Sequence, residues 1–73
     1  MIMIIIDLTA FRCPLPLVKV KLALKQIDTG EKLRVLLSDP GSRQDVPRFL
    51  KKVGYHHQII QSKESVLALE ITK

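Results

Sequence analysis

The sequence predicts an α/β (α+β) fold, a two-layer sandwich in which two helices cover one face of a four-stranded mixed sheet, in the order βαβαββ. Three observations lead there. Short runs rich in β-branched and aliphatic residues alternate with two stretches whose apolar residues recur at spacings of three and four. Each of those two stretches opens beside a proline and is followed by a glycine. The last two strand-like runs are separated only by a polar turn, which makes them a hairpin, whereas the helical crossover between the first two makes that pair parallel.

Ile2 to Leu8 is a continuous apolar run, expected as a strand buried on both faces. Thr9 to Arg12 is a loop. From about Pro14 to Ile27, the residues Leu17, Val20, Leu24 and Ile27, with Ala23 beside them, form one helical stripe, and Lys19, Lys25 and Gln26 lie off it. Gly30 marks the stop. Lys32 to Leu37 is the second strand, with Leu33, Val35 and Leu37 on one face. Ser38-Asp39-Pro40 is a helix start, a capping side chain followed by a residue with no N–H to leave unpaired. Val46, Phe49, Leu50 and Val53 give the second helix its apolar face, and Gly54 ends it. Pro47 falls inside that pattern and predicts a kink or a true start nearer Gln44. His56 to Ser62, the turn Lys63-Glu64-Ser65 and Val66 to Thr72 complete the hairpin, with Leu67, Leu69 and Ile71 alternating with Ala68 and Glu70.

The 73 residues are expected to form a single domain, 1–73. A chain of this length buries only about 60% of its unfolded surface, so the core is thin. With 47% hydrophobic and 26% charged residues the chain is globular rather than disordered. There is no tryptophan, and only Phe11, Phe49 and Tyr55 are aromatic, so Ile, Leu and Val must build the core and deep aromatic-lined pockets are not expected. A single cysteine, Cys13, excludes an intramolecular disulfide and points to a reducing compartment. The opening apolar run stops at Asp7, far short of a signal peptide or membrane span, so a cytoplasmic protein without a membrane partner is expected. The net charge of +5 is scattered over both helices and the second strand, with no stacking platform beside it, so direct nucleic-acid binding is not the expected role.

The chemistry concentrates in Phe11-Arg12-Cys13-Pro14-Leu15-Pro16. Cys13 is placed to be the N-cap of the first helix with Pro14 at its first position. Partial positive charge and free N–H groups at a helix start favour a thiolate. Pro14 and Pro16 stiffen the turn and remove two N–H groups, leaving those of Leu15 and Leu17 nearest the sulfur, and Arg12 adds a neighbouring positive charge. Leu15 precedes a proline, which disfavours helical geometry there. A thiolate without a resolving cysteine suits sulfur relay above other chemistry. It can accept a sulfur atom from a donor persulfide, hold it as Cys–S–SH, and pass it to another thiol. The alternatives are a cysteine that serves as a small buried hydrophobe, and, for the whole chain, a non-catalytic regulatory or protein-binding module of the same fold, ahead of an RNA-binding domain.

Arg12-Cys13-Pro14-Leu15-Pro16, in a βαβαββ chain of this length, resembles the TusA/SirA-like sulfur-carrier family, whose hallmark is Cys-Pro-x-Pro at the start of the first helix. Asp7-Leu8, Gly30-Glu31, Asp39-Pro40, Arg43-Gln44-Asp45-Val46-Pro47 and Gly54-Tyr55-His56 extend the similarity along the chain. The resemblance implies a cytosolic persulfide carrier with Cys13 as the reactive group and no cofactor. It also implies a cysteine desulfurase or rhodanese-like donor and a downstream acceptor protein. Family outputs include tRNA thiolation, molybdenum-cofactor supply and sulfur metabolism. Such a carrier performs half of a sulfurtransferase reaction and needs a partner at each end. Two residues depart from the frequent pattern: Ala10 stands where many members have Gly, and Leu15 where many have Glu between the prolines. The second change removes a carboxylate and makes the approach to the thiol apolar.

Val18 and Leu22, an i, i+4 pair beside the core stripe, could join Phe11 and Leu15 as a collar for partner docking, or belong to a wider buried face. Asp39 is expected as a helix cap, and Arg43 and Asp45 on a solvated face, although all three could orient the loop at Cys13. His56 and His57 are neighbours whose side chains point to opposite sides of a strand, so no metal site is expected. The lysines at 19, 21, 25, 51 and 52 form solvated faces able to steer an acidic partner.

Overall fold

The computed structural model, which describes residues 4–63 and 65–73, has the element order β1 (Ile4–Asp7), α1 (Leu15–Gln26), β2 (Lys32–Leu37), α2 (Pro40–Val53), β3 (His56–Ser62) and β4 (Leu67–Thr72). Residues 1–3, which include the first two positions of the expected first strand, and Glu64 in the expected turn lie outside the described residues. The strands form one sheet in the order β1-β2-β4-β3. β1 runs parallel to β2, with Ile4 opposite Leu33 and Ile6 opposite Val35. β4 is antiparallel to both of its neighbours, with Val35 opposite Leu69 on one side and Ile59 opposite Leu69 on the other, and the β3–β4 register shifts between Ile59 and Gln61.

The fold class, the element order and the four-stranded mixed sheet are those expected from the sequence. The core is aliphatic: Val20, Leu24 and Ile27 of the first helical region, Val46 and Leu50 of α2, and Leu33, Val35, Leu37, Leu67, Leu69 and Ile71 of the sheet are buried. Leu17, Ala23 and Phe49 pack against this cluster from its margin. β4 lies inside the sheet and is buried from Leu67 to Ile71, so its second face also contributes. On that face Glu70 is 8% exposed, opposite Arg34, and accepts a hydrogen bond from the Arg34 guanidinium at 3.3 Å and an ion pair from Lys32 at 3.4 Å. The pairing satisfies a carboxylate that burial would otherwise penalise.

Four expectations need correction. β1 is not buried on both faces: it is an edge strand with β2 as its one neighbour, and Ile4 and Ile5 are 40% and 59% exposed. The apolar run specified a strand but not its place in the sheet, and the centre went to β4. α2 does not start nearer Gln44. It begins at Pro40, because the Asp39 side chain accepts the N–H of Ser42 at 3.0 Å, and it runs through Pro47. Val46 and Leu50, both fully buried, anchor the helix on either side of that proline. Val53, expected in the core, is 50% exposed at the last position of α2. There Gly54 takes a left-handed φ of 87° and donates to the Leu50 carbonyl at 3.0 Å, which ends the helix and leaves Val53 at its margin, with Gly54 and Tyr55 between it and β3. Finally, the N-cap of α1 is Pro14 rather than Cys13, and Leu15, despite preceding Pro16, is already helical.

Leu69 is fully buried in the interior strand, with sheet neighbours on both sides. Leu69→Ala is expected to lower the unfolding free energy by roughly 2–5 kcal/mol, read from the midpoint of a urea titration.

Candidate functional site

The loop between β1 and α1 is pinned at several points before it reaches the cysteine. Asp7 accepts hydrogen bonds from the Thr9 N–H at 3.0 Å and the Thr9 hydroxyl at 2.6 Å, closing a local turn. Leu8 continues the ladder by donating to the Leu36 carbonyl at 2.9 Å, and its side chain enters the core. The Ser38 hydroxyl donates to the Thr9 carbonyl at 2.9 Å, tying the loop to the end of β2. No described non-glycine residue has a positive φ, so Ala10 suits this loop without a glycine-only angle.

Cys13 then meets the start of α2. Its N–H donates to Asp39 Oδ2 at 3.2 Å, the same oxygen that accepts from the N–H and hydroxyl of Ser42. Asp39 is the expected helix cap, and it also fixes the backbone of the cysteine 26 residues earlier. Gly41 passes close by. A Cβ added there would stand 3.4 Å from the Cys13 Cβ and 3.2 Å from the Asp39 carboxylate, so this turn has little room for a side chain. The Cys13 Sγ donates to Asp45 Oδ2 at 3.2 Å, yet the residue remains exposed.

This geometry reverses the expected electrostatics. The hydrogen bond to Asp45 pushes the thiol pKa upward, and partial burial, the Asp45 charge and the Asp39 charge act in the same direction. The carboxylates of α2 therefore govern the sulfur, not the helix start or Arg12. The Leu15 N–H, expected near the sulfur, instead donates to the Arg12 carbonyl at 3.0 Å. Asp39 itself is held below the usual carboxylate range, chiefly by the Ser42 N–H. Asp45, expected on a solvated face, is the residue that sequence reasoning undervalued. Its place in the Arg-Gln-Asp-Val-Pro segment was a signal, but its contact with a side chain 32 positions away exists only once α2 docks beside the loop.

The other expected site residues divide. Arg12 and Pro14 are exposed beside the thiol, and Pro16 is buried as an anchor for the first turn of α1. Leu15, Val18 and Leu22 are 49%, 45% and 54% exposed, a stripe at i, i+3 and i+7 leading away from Cys13, so the wider buried face is not what forms. Phe11 differs from them: it packs against the core at half burial, with Lys19 Nζ 4.6 Å from its ring centroid. A groove of about 420 Å³ with Phe49 and Tyr55 in its walls lies against the second half of α1, lined there by Lys21, Leu24 and Lys25. Among the described residues, no group of three or more His, Cys, Asp or Glu is placed to hold a metal, and no helix is long and apolar enough to cross a membrane.

A family model described as sulfurtransferase TusA matches residues 4–73, essentially the whole described fold. The chain belongs to the TusA family. The sulfur carrier protein TusA of Allochromatium vinosum is 36% identical over 59 residues, covering 81% of this chain and 75% of that one. The protein of the same name from Pseudomonas putida strain W619 is 32% identical over 60 residues, covering 82% of this chain and 72% of its own. The crystal structure of a SirA-like protein from Desulfitobacterium hafniense superposes with a TM-score of 0.80 at 27% identity, covering 94% of this chain and 95% of that one. This TusA-family protein therefore shares both the sequence pattern and the α+β fold of its relatives.

Because two carboxylates act on the sulfur, the rate of Cys13 alkylation by iodoacetamide is expected to rise with pH around a midpoint above that of an unperturbed cysteine thiol, about 8.5. A midpoint below that value, in a stopped-time mass assay from pH 6 to 10, would contradict the Asp45 contact.

Proposed function

We propose that this protein is a sulfur carrier that holds sulfane sulfur as a persulfide on Cys13. The observation that carries this reading is an exposed thiol on a backbone fixed by Asp39, at the end of a loop pinned to the sheet. A sulfur that must meet two different proteins has to project from the surface, and it has to arrive at each in the same geometry. The family membership and the names of the relatives support the same role.

In the proposed cycle a cysteine desulfurase or rhodanese-like donor presents its persulfide. The Cys13 sulfur attacks the outer sulfur, the donor S–S bond breaks, and the donor thiol is regenerated as Cys13–S–SH forms. A thiol on the acceptor then attacks the outer sulfur of Cys13–S–SH, and Cys13 returns to its starting state. No net oxidant or cofactor is required. Arg12, Pro14 and Pro16 shape the mouth of the site, while Leu15, Val18 and Leu22, with Phe11 behind the loop, provide the docking surface in a cytoplasmic setting. Leu15, where the family frequently has Glu, favours an acceptor with an apolar contact over one that presents a cation. The outputs open to such a relay are tRNA thiolation, molybdenum-cofactor supply and other sulfur metabolism.

Incubation with a cysteine desulfurase and cysteine is expected to add one sulfur to the intact mass. The gain is removed by reductant and absent in Cys13→Ser; wild type that stays unmodified with several donors would overturn the carrier reading. For docking, Leu22→Lys is expected to change stability by no more than about 0.5 kcal/mol, because the side chain is half exposed. Its loading from a protein donor is expected to slow while loading from glutathione persulfide stays unchanged. Equal loading from both sources would remove Leu22 from the docking surface.

A further inference from the structure

We infer that Asp45 is the proton acceptor for Cys13, taking the thiol proton as the sulfur becomes a nucleophile and returning it to the departing thiolate. The inference rests on the carrier reading above. Its basis is the 3.2 Å contact from the Cys13 Sγ to Asp45 Oδ2, made by a carboxylate on the first turns of a helix that is itself capped beside the cysteine. General bases act at hydrogen-bond distance from the proton they remove, and here the base touches the reacting atom in the resting state.

The charged surroundings make such a group useful. The sulfur is acted on by the carboxylates of Asp45 and Asp39, from α2 and its cap. Arg12 is its chain neighbour, while Lys19, the first lysine of α1, is turned to the Phe11 ring. In this setting the cysteine rests as a thiol, and a neutral thiol is a poor nucleophile toward sulfur. A carboxylate within hydrogen-bond distance lets the proton leave as the S–S bond forms, without a free thiolate being maintained between encounters. Gly41 and the exposure of Cys13 leave the sulfur accessible to the donor.

The steps balance. The Cys13–SH proton passes to the Asp45 carboxylate in the same step in which the sulfur begins to bond to the donor. As that proton leaves, the Cys13 sulfur bonds to the outer sulfur of donor–S–SH, and the donor S–S bond breaks with its electron pair on the inner sulfur. That donor thiolate takes the proton from Asp45, leaving donor–SH, Cys13–S–SH and the carboxylate restored. Unloading runs the same bond changes toward the acceptor: Asp45 takes the acceptor thiol's proton and gives it to the Cys13 thiolate as that leaves.

The test uses the full chain, glutathione persulfide as the sulfur donor, and Asp45→Asn, with Asp45→Ser as a second variant in case the first does not fold. Two rates are read at pH 7.5: sulfur loading of Cys13 by intact mass, and alkylation of Cys13 by iodoacetamide. Loss of the carboxylate is expected to speed alkylation several-fold, because iodoacetamide is consumed by the thiolate already present in solution, whose fraction rises once the Asp45 contact is gone, whereas sulfur loading loses its proton acceptor. Sulfur loading is expected to slow by about tenfold, the low end of a general-base contribution after allowing for the larger thiolate fraction. Opposite movements of the two rates support the inference. Loading that is unchanged or faster overturns it, and so does slowing of both rates, which is what a purely structural role predicts. Wild type that takes up no sulfur on Cys13 overturns the carrier reading and the inference together; wild type that loads while the variants keep pace overturns the inference alone.

Discussion

The site depends on one carboxylate oxygen. Asp39 Oδ2 accepts the N–H and hydroxyl of Ser42, which starts α2, and the N–H of Cys13, which ends the loop from β1. Without it the first turn of α2 loses its cap and the cysteine loses its long-range backbone anchor. The position of the thiol and the start of the helix that carries Asp45 are therefore set by the same contact. An N-cap residue normally satisfies donors of its own helix. Here it also accepts a donor from another segment, which couples loop geometry to helix formation.

That coupling explains why the thiol is exposed but not ionised by its surroundings. Expectation from the motif centred on a positive helix start; the folded chain places Cys13 two residues before the first residue of α1 and beside the acidic side chains of α2 and its cap. A point carboxylate at hydrogen-bond distance outweighs the partial charge of a helix end, whose influence fades within a turn. A carrier whose sulfur rests as a thiol is shielded from oxidants that consume thiolates. In the proposed relay, reactivity is supplied in the encounter itself, as the proton passes to Asp45.

Packing supplies the stiffness that this arrangement needs. In a chain of 73 residues the core is small, and burial of β4 on both faces brings its Ala68 and Glu70 into the interior beside Leu67, Leu69 and Ile71. The Glu70, Arg34 and Lys32 cluster allows a polar strand position to be buried on the face that the helices leave uncovered. With the core filled by aliphatic residues, Leu15, Val18 and Leu22 are left exposed on the outer side of α1, the surface proposed for docking.

Most of the architecture was legible in the order of residues. The periodicities of two and about 3.6, the prolines and glycines at element ends, and Cys-Pro-Leu-Pro at a loop-to-helix junction specify βαβαββ and single out Cys13, because these signals are local and depend on backbone geometry within a few residues. The tertiary structure alone decided that the apolar first strand lies at an edge, that α2 runs through Pro47, and that Asp45 governs the sulfur. Each of these turns on which distant segment becomes a neighbour. A run of isoleucines reads alike at the centre or edge of a sheet, and a carboxylate 32 residues from a thiol acts on it only when the fold closes the distance to 3.2 Å.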